Sequence, residues 1–135
     1  ADKKGKTALM IASRRDHSDV VRLLLDCGAK VDMTDDYGCT ALIHAADEGH
    51  LDVAQLLLDR GAEINKTTNI GMTALLYASA RGHLDVAQLL LDRGAAIDKA
   101  DGNSTTALML AADNEHSGVA KLLLDSGADV DVCGI

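Results

Sequence analysis

The 135-residue chain contains no proline, phenylalanine or tryptophan, and only two tyrosines, Tyr37 and Tyr77. Large aromatic platforms for stacking bases or sugars are therefore nearly missing, which argues against single-stranded nucleic acid and carbohydrate ligands. Positive charge is also short: 13 Lys and Arg stand against 21 Asp and Glu, for a net charge of -8. Such a balance repels polyphosphate and anionic lipid, so neither nucleic acid nor a membrane surface is expected as a partner. No apolar run approaches the roughly 18 residues of a spanning helix, and no basic stretch leads into an apolar one as in a signal peptide. A soluble chain with an intracellular, cytoplasmic location is the expectation, the nucleus being compatible with it. Three cysteines, Cys27, Cys39 and Cys133, make an odd set without metal-ligand spacing. They are expected to be free thiols in a reducing compartment rather than a disulfide framework.

What is present is repetition. The segment Gly-His-Leu-Asp-Val-Ala-Gln-Leu-Leu-Leu-Asp-Arg-Gly-Ala runs from Gly49 to Ala62 and recurs unchanged from Gly82 to Ala95, an offset of 33 residues. Looser copies at the same offset span Asp16 to Ala29 and Glu115 to Ala128. Each unit is too short to bury its own apolar face, so stability has to come from stacking neighbours into one continuous core. Thr7, Thr40, Thr73 and Thr106 each precede a run of helix formers and open a first helix (A). A polar break, Ser13 to His17 in the first unit, precedes a second helix (B), with Asp19 at its positive end. Gly28, Gly61, Gly94 and Gly127 close helix B. Short extended segments at Val31-Asp32, Ile64-Asn65, Ile97-Asp98 and Val130-Asp131 then lead onward. The reading is four helix pairs in a single domain over residues 1–135, with units near 5–37, 38–70, 71–103 and 104–135.

Gly-x-Thr-Ala-Leu at Gly5, Gly38 and Gly71, Thr106-Ala107-Leu108, Gly-His at Gly49 and Gly82, and Leu-Leu-Leu-Asp-x-Gly-Ala in all four units resemble the ankyrin repeat along essentially the full length. The resemblance implies an all-α solenoid of stacked helix-turn-helix units with protruding turns. Two departures stand out from the family's Thr-Pro-Leu-His: alanine replaces proline (Ala8, Ala41, Ala74, Ala107), and an apolar residue replaces histidine (Met10, Ile43, Leu76, Met109). Packing then has to supply the order that the missing imidazole hydrogen bonds would give helix A. At the outer repeats Leu51 and Leu84 become Ser18 and Ser117, as a wetter end requires, yet neither end carries a polar capping helix. A monomer is expected, with weak end-to-end association and oxidation of Cys133 between molecules as side reactions.

The resemblance also implies function: non-catalytic binding of a partner protein through the concave face and turn tips, without cofactor or metal. Carried over by register, the partner-facing positions are Lys3, Lys4, Lys6, Arg14 and Arg15 in the first unit, then Asp36, Tyr37, Cys39, Asp47 and Glu48. The third unit presents Asn69, Ile70, Met72, Ala80 and Arg81, and the fourth Gly102, Asn103, Thr105, Asp113 and Asn114. Tyr37, Ile70 and Met72 are expected to form an adaptable anchor patch, flanked by orienting charges. Against this stands the plainer reading that Arg14 and Arg15 simply pair with Asp47 and Glu48. An engineered or structural scaffold without a natural partner is the alternative function, suggested by the verbatim duplication. Leu57, followed five residues later by Glu63-Ile64-Asn65, also resembles the pattern accepted by the ankyrin-directed asparaginyl hydroxylase, with Asn65 as the target.

Chemistry at other sites is not expected. His17, His50, His83 and His116 recur at repeat spacing, too far apart to share a zinc ion, and read as polar residues in the A to B link. His44 stands alone on helix A without a serine, cysteine or second histidine at matched spacing and reads as a packed or interfacial residue, and no residue set is expected to converge on a metal. Asp47-Glu48 form an adjacent carboxylate pair, but Arg14-Arg15, Ala80-Arg81 and Asp113-Asn114 at the same positions mark a variable solvated face rather than an acid-base set.

Overall fold

The computed structural model describes residues 5–130. Eight helices are present there and no strand: α1 (Ala8–Arg14), α2 (Ser18–Asp26), α3 (Ala41–Glu48), α4 (Leu51–Asp59), α5 (Ala74–Arg81), α6 (Leu84–Asp92), α7 (Ala107–Asp113) and α8 (Ser117–Asp125). They form the four expected A and B pairs. None is long and apolar enough to cross a membrane.

Local chemistry sets the helix ends. The four threonines lie one residue outside their helices as N-caps, and each hydroxyl accepts a backbone N–H three residues on, Thr7 from Met10 at 3.2 Å and Thr106 from Met109 at 3.3 Å. At the far end of α2, Gly28 N–H donates to Leu25 O and Ala29 N–H to Leu24 O, both at 3.0 Å. Those paired bonds make a left-handed stop, and Gly28 holds φ +94° there. Ser13, expected to begin a polar break, instead lies inside α1 and is fully buried. The segments expected to be extended are turns, and they are bridged from unit to unit by side chains. Asp32 Oδ1 accepts Glu63 N–H at 3.0 Å, Asn65 Oδ1 accepts Ala96 N–H at 2.9 Å, and Asp98 Oδ1 accepts Asp129 N–H at 3.1 Å. Asp131, the fourth residue of that register, lies outside the described residues.

Helices α1, α3, α5 and α7 pack side by side as an inner row, and α2, α4, α6 and α8 as an outer one. Contacts are denser in the inner row. Its facing positions are small, with Ala41, Ala45 and Ala46 on α3 and Ala74, Ala78 and Ser79 on α5 all buried. The outer row is spaced by Val and Leu, including Val53, Leu57, Val86, Leu90, Val119 and Leu123. Close spacing on one side and wide spacing on the other bends the stack toward the inner helices, making their free side concave. The core runs through all four units but stops at the first. Val20 is 47% exposed where Val53, in the same register, is 0%, and Leu24, Met33 and Lys30 line an open hollow of about 360 Å³ on that end face.

Ser13 and Ser79 carry buried hydroxyls without a hydrogen-bond partner. The corresponding Ala46 in the second unit packs without one. Ser79→Ala is expected to stabilise the protein by about 1 kcal/mol, because the orphaned hydroxyl is removed and alanine favours the helix. A rise in the urea midpoint measures it; a fall would mean that the hydroxyl has a partner in solution.

Candidate functional site

The turns preceding α3, α5 and α7 are each shaped by a single side chain. Asp35 is buried, and its Oδ1 accepts the N–H groups of Tyr37 at 2.9 Å and Cys39 at 3.0 Å. Thr68 Oγ1 does the same for Ile70 and Met72, and Asp101 Oδ1 for Asn103 and Thr105. Folding the turn back on itself pushes its tip outward, so Tyr37 is 57% and Ile70 66% exposed. Successive tips are then tied together: Asn69 N–H donates to Tyr37 O at 3.0 Å, Asn69 Nδ2 to Asp36 O at 2.9 Å, and Gly102 N–H to Ile70 O at 2.8 Å. The result is a ladder of turns with a preset spacing.

Beneath the tips lies a groove of about 370 Å³, bordered by Lys6, Arg14, Tyr37, Asp47, Ile70 and Tyr77. A neighbouring hollow of about 510 Å³ lies toward the first unit, against Ile11, Arg14, Arg15 and Glu48. Tyr37, Ile70, Lys6, Arg14 and Asp47 thus come together as the register implied, with Arg15 and Glu48 beside them. Met72 does not join them. It is 8% exposed and belongs to the core, because it directly precedes the cap Thr73 and its N–H is drawn inward to Thr68 Oγ1 at 3.1 Å. Tyr77, absent from the expected set, takes its place on the groove wall. Cys39, in the register of Met72, is half-buried. Asn103, Asp113 and Asn114 are exposed and Thr105 half-buried in the fourth unit, away from this groove. Lys3 and Lys4 lie outside the described residues.

The charges are partly spent on each other. Arg14 Nε lies 3.6 Å from Glu48 Oε1, one of the pairs of the plainer reading, whereas Asp47 Oδ1 lies 3.0 Å from Arg81 Nε of the next repeat. Such exposed pairs contribute little stability and leave the groups available to a partner. Asp36 is exposed at the tip. The repeating histidines have a backbone role. His50, His83 and His116 each donate Nε2–H to a carbonyl of the preceding unit, that of Arg14, Asp47 and Ala80, at 2.8, 2.9 and 3.0 Å. Because a carbonyl only accepts, the proton sits on Nε2. Asn65 is half-buried and its amide oxygen is occupied by the bridge to Ala96.

His44 is not alone. Its Nε2 donates to Asp35 Oδ2 at 3.0 Å, and Cys39 completes a group whose donor atoms all lie within 4.8 Å of one another. This corrects the expectation that no residues converge. The sequence signal was the five-residue spacing: the residue before an N-cap and the fourth residue of the helix lie on the same side of the first turn and meet. Cys39 and His44 occupy that pair, and the Asp35 turn folds the carboxylate onto it. Burial raises the pKa of Asp35, but the N–H groups of Cys39 and Tyr37 and the His44 ring outweigh it and hold the carboxyl below its ordinary value. Burial lowers His44, against the pull of Asp35, so the imidazole is neutral at pH 7. Cys39 is pushed up to about 11 by burial and the nearby carboxylates. A thiol held protonated is the opposite of an activated nucleophile.

A family profile described as Ankyrin repeats (3 copies) matches residues 1–68 and 64–132, nearly the whole chain. Comparison with curated proteins finds no match.

Proposed function

The chain belongs to the ankyrin-repeat family, whose repeats generally act as non-catalytic protein-interaction modules, and from that premise we propose that it binds a partner protein through the tips and groove of its first three repeats. The observation that carries this reading is the pair Tyr37 and Ile70: two large apolar side chains exposed on adjacent, hydrogen-bonded turns at the mouth of the groove. Exposed anchors on a rigid frame bind without the cost of ordering loops, and an aromatic beside an aliphatic residue is a common centre for binding energy. Arg14, Arg15, Asp47, Glu48 and Arg81 would orient the partner rather than hold it. The protonated thiol of Cys39 favours binding over covalent catalysis.

Capture from cell lysate with the immobilised chain tests the proposal. A specific, saturable partner is expected, and Tyr37→Ala or Ile70→Ala should weaken its binding by at least about tenfold while leaving helicity unchanged. A partner indifferent to both substitutions would move the interface elsewhere. No saturable partner would favour the alternative of a scaffold without a natural one.

A further inference from the structure

Asp35, Cys39 and His44 offer a carboxylate oxygen, a sulfur and an imidazole nitrogen, all within 4.8 Å of one another, beside the groove. We propose that these three side chains form a zinc-binding site, with an open fourth position toward the groove. The donor set decides the metal class. Sulfur and nitrogen donors disfavour magnesium and calcium, a single sulfur is poor for copper(I), and one nitrogen, one oxygen and one sulfur suit the borderline character of zinc. Charge also closes: a carboxylate and a thiolate balance a divalent ion, with the neutral imidazole adding none. When the metal binds, the thiol proton of Cys39 is released to solvent and the neutral His44 ring takes its Nδ1–H tautomer, so that Nε2 gives up the proton it donates to Asp35 and offers its lone pair to the ion.

Geometry supports convergence. Zinc bonds of about 2.0 to 2.3 Å place the corners of a tetrahedral site roughly 3.3 to 3.8 Å apart. Asp35 Oδ2 and His44 Nε2 stand 3.0 Å apart, a few tenths of an ångström under that span. The limit of 4.8 Å leaves the thiol about 1 Å to close, a rotation about the Cα–Cβ bond of a half-buried side chain. The surroundings resemble the outer shell of a metal site. Asp35 Oδ1 is held by two backbone N–H groups, which orients the carboxylate and turns Oδ2 toward the His44 ring. Tyr77 of the next repeat lines the same groove as the three donors. The other repeats serve as internal controls: the same three positions hold Thr68, Met72 and Tyr77 in the third and Asp101, Thr105 and Leu110 in the fourth. The site is therefore a property of the second repeat, and one ion per chain is expected.

Titrating the reduced full-length chain with Co²⁺, then displacing it with Zn²⁺, tests the site directly. One equivalent of Co²⁺ should give thiolate-to-cobalt charge-transfer absorption together with tetrahedral visible bands, both abolished by Zn²⁺. Cys39→Ser and His44→Ala should each weaken binding by more than about a hundredfold, while a chain carrying both Cys27→Ser and Cys133→Ser keeps it. Absence of the charge-transfer band in the wild type overturns the proposal. So does its survival in Cys39→Ser, or its loss in the double variant with helicity intact. X-ray absorption on the zinc-loaded wild type guards against variants that fail to fold: one sulfur scatterer among nitrogen and oxygen neighbours is expected, and a shell without sulfur refutes the assignment.

Discussion

Truncating Leu57 to alanine is expected to lower the free energy of unfolding by about 2 to 5 kcal/mol, the largest effect of any single truncation considered. Leu57 is completely buried on the outer helix α4, which packs between α2 and α6. Outer-row spacing is set by such side chains, so the surrounding helices can collapse only partly onto the space left behind. Leu24 occupies the same register on α2, yet it is half-buried at the open end face. Leu24→Ala should therefore cost much less, because the side chain borders that hollow and water fills the vacated space. Urea denaturation of the two variants against wild type makes the comparison. Equal losses would show that the end face is covered in solution.

Gly71→Ala should destabilise by about 2 to 5 kcal/mol, for two reasons that add. The residue holds φ +82°, and a left-handed conformation costs an alanine roughly 1 to 2 kcal/mol. Its new methyl would also lie 2.7 Å from Gly102 N and 3.1 Å from Asp101 C. Those are backbone atoms of the next repeat's turn, so relief requires the ladder of tips to shift, at about 1 to 3 kcal/mol. Gly61 supplies the control. It holds φ +91° with nothing within 4 Å of an added Cβ, so Gly61→Ala carries only the backbone cost of roughly 1 to 2 kcal/mol. Ser104, in the register of Gly71, holds φ +62°, so a side chain is carried in the left-handed region at this position of the fourth repeat. Thermal unfolding of Gly71→Ala and Gly61→Ala should separate the two costs, and similar melting temperatures would remove the steric part.

How the sequence becomes a groove follows from what repeats and what does not. The 33-residue period, the threonine caps and the glycine stops determined eight helices and their pairing, because those signals act within a single turn of chain. Period also determined the solenoid, since units that cannot bury their own apolar face have to share it. The histidine row was legible as a polar link residue in each unit for the same reason, and His50, His83 and His116 meet the preceding unit in the same way.

Position in the stack was decided only by the tertiary structure. Val20 and Val53 are the same residue in the same register, and one is exposed while the other is sealed, because burial depends on what packs against each position. Alternation within a turn was decided there too. Ile70 and Met72 are two residues apart and similarly apolar, yet the inward hydrogen bonds to Thr68 expose the first and bury the second. Asp35, Cys39 and His44 were the least legible, although two of them carry a local signal. The sequence determined the Cys39 and His44 pair through the five-residue spacing across a helix start. Closing the buried Asp35 carboxylate onto it took the folded turn, because the direction of a side chain at a loop is set by backbone hydrogen bonds that no periodicity encodes.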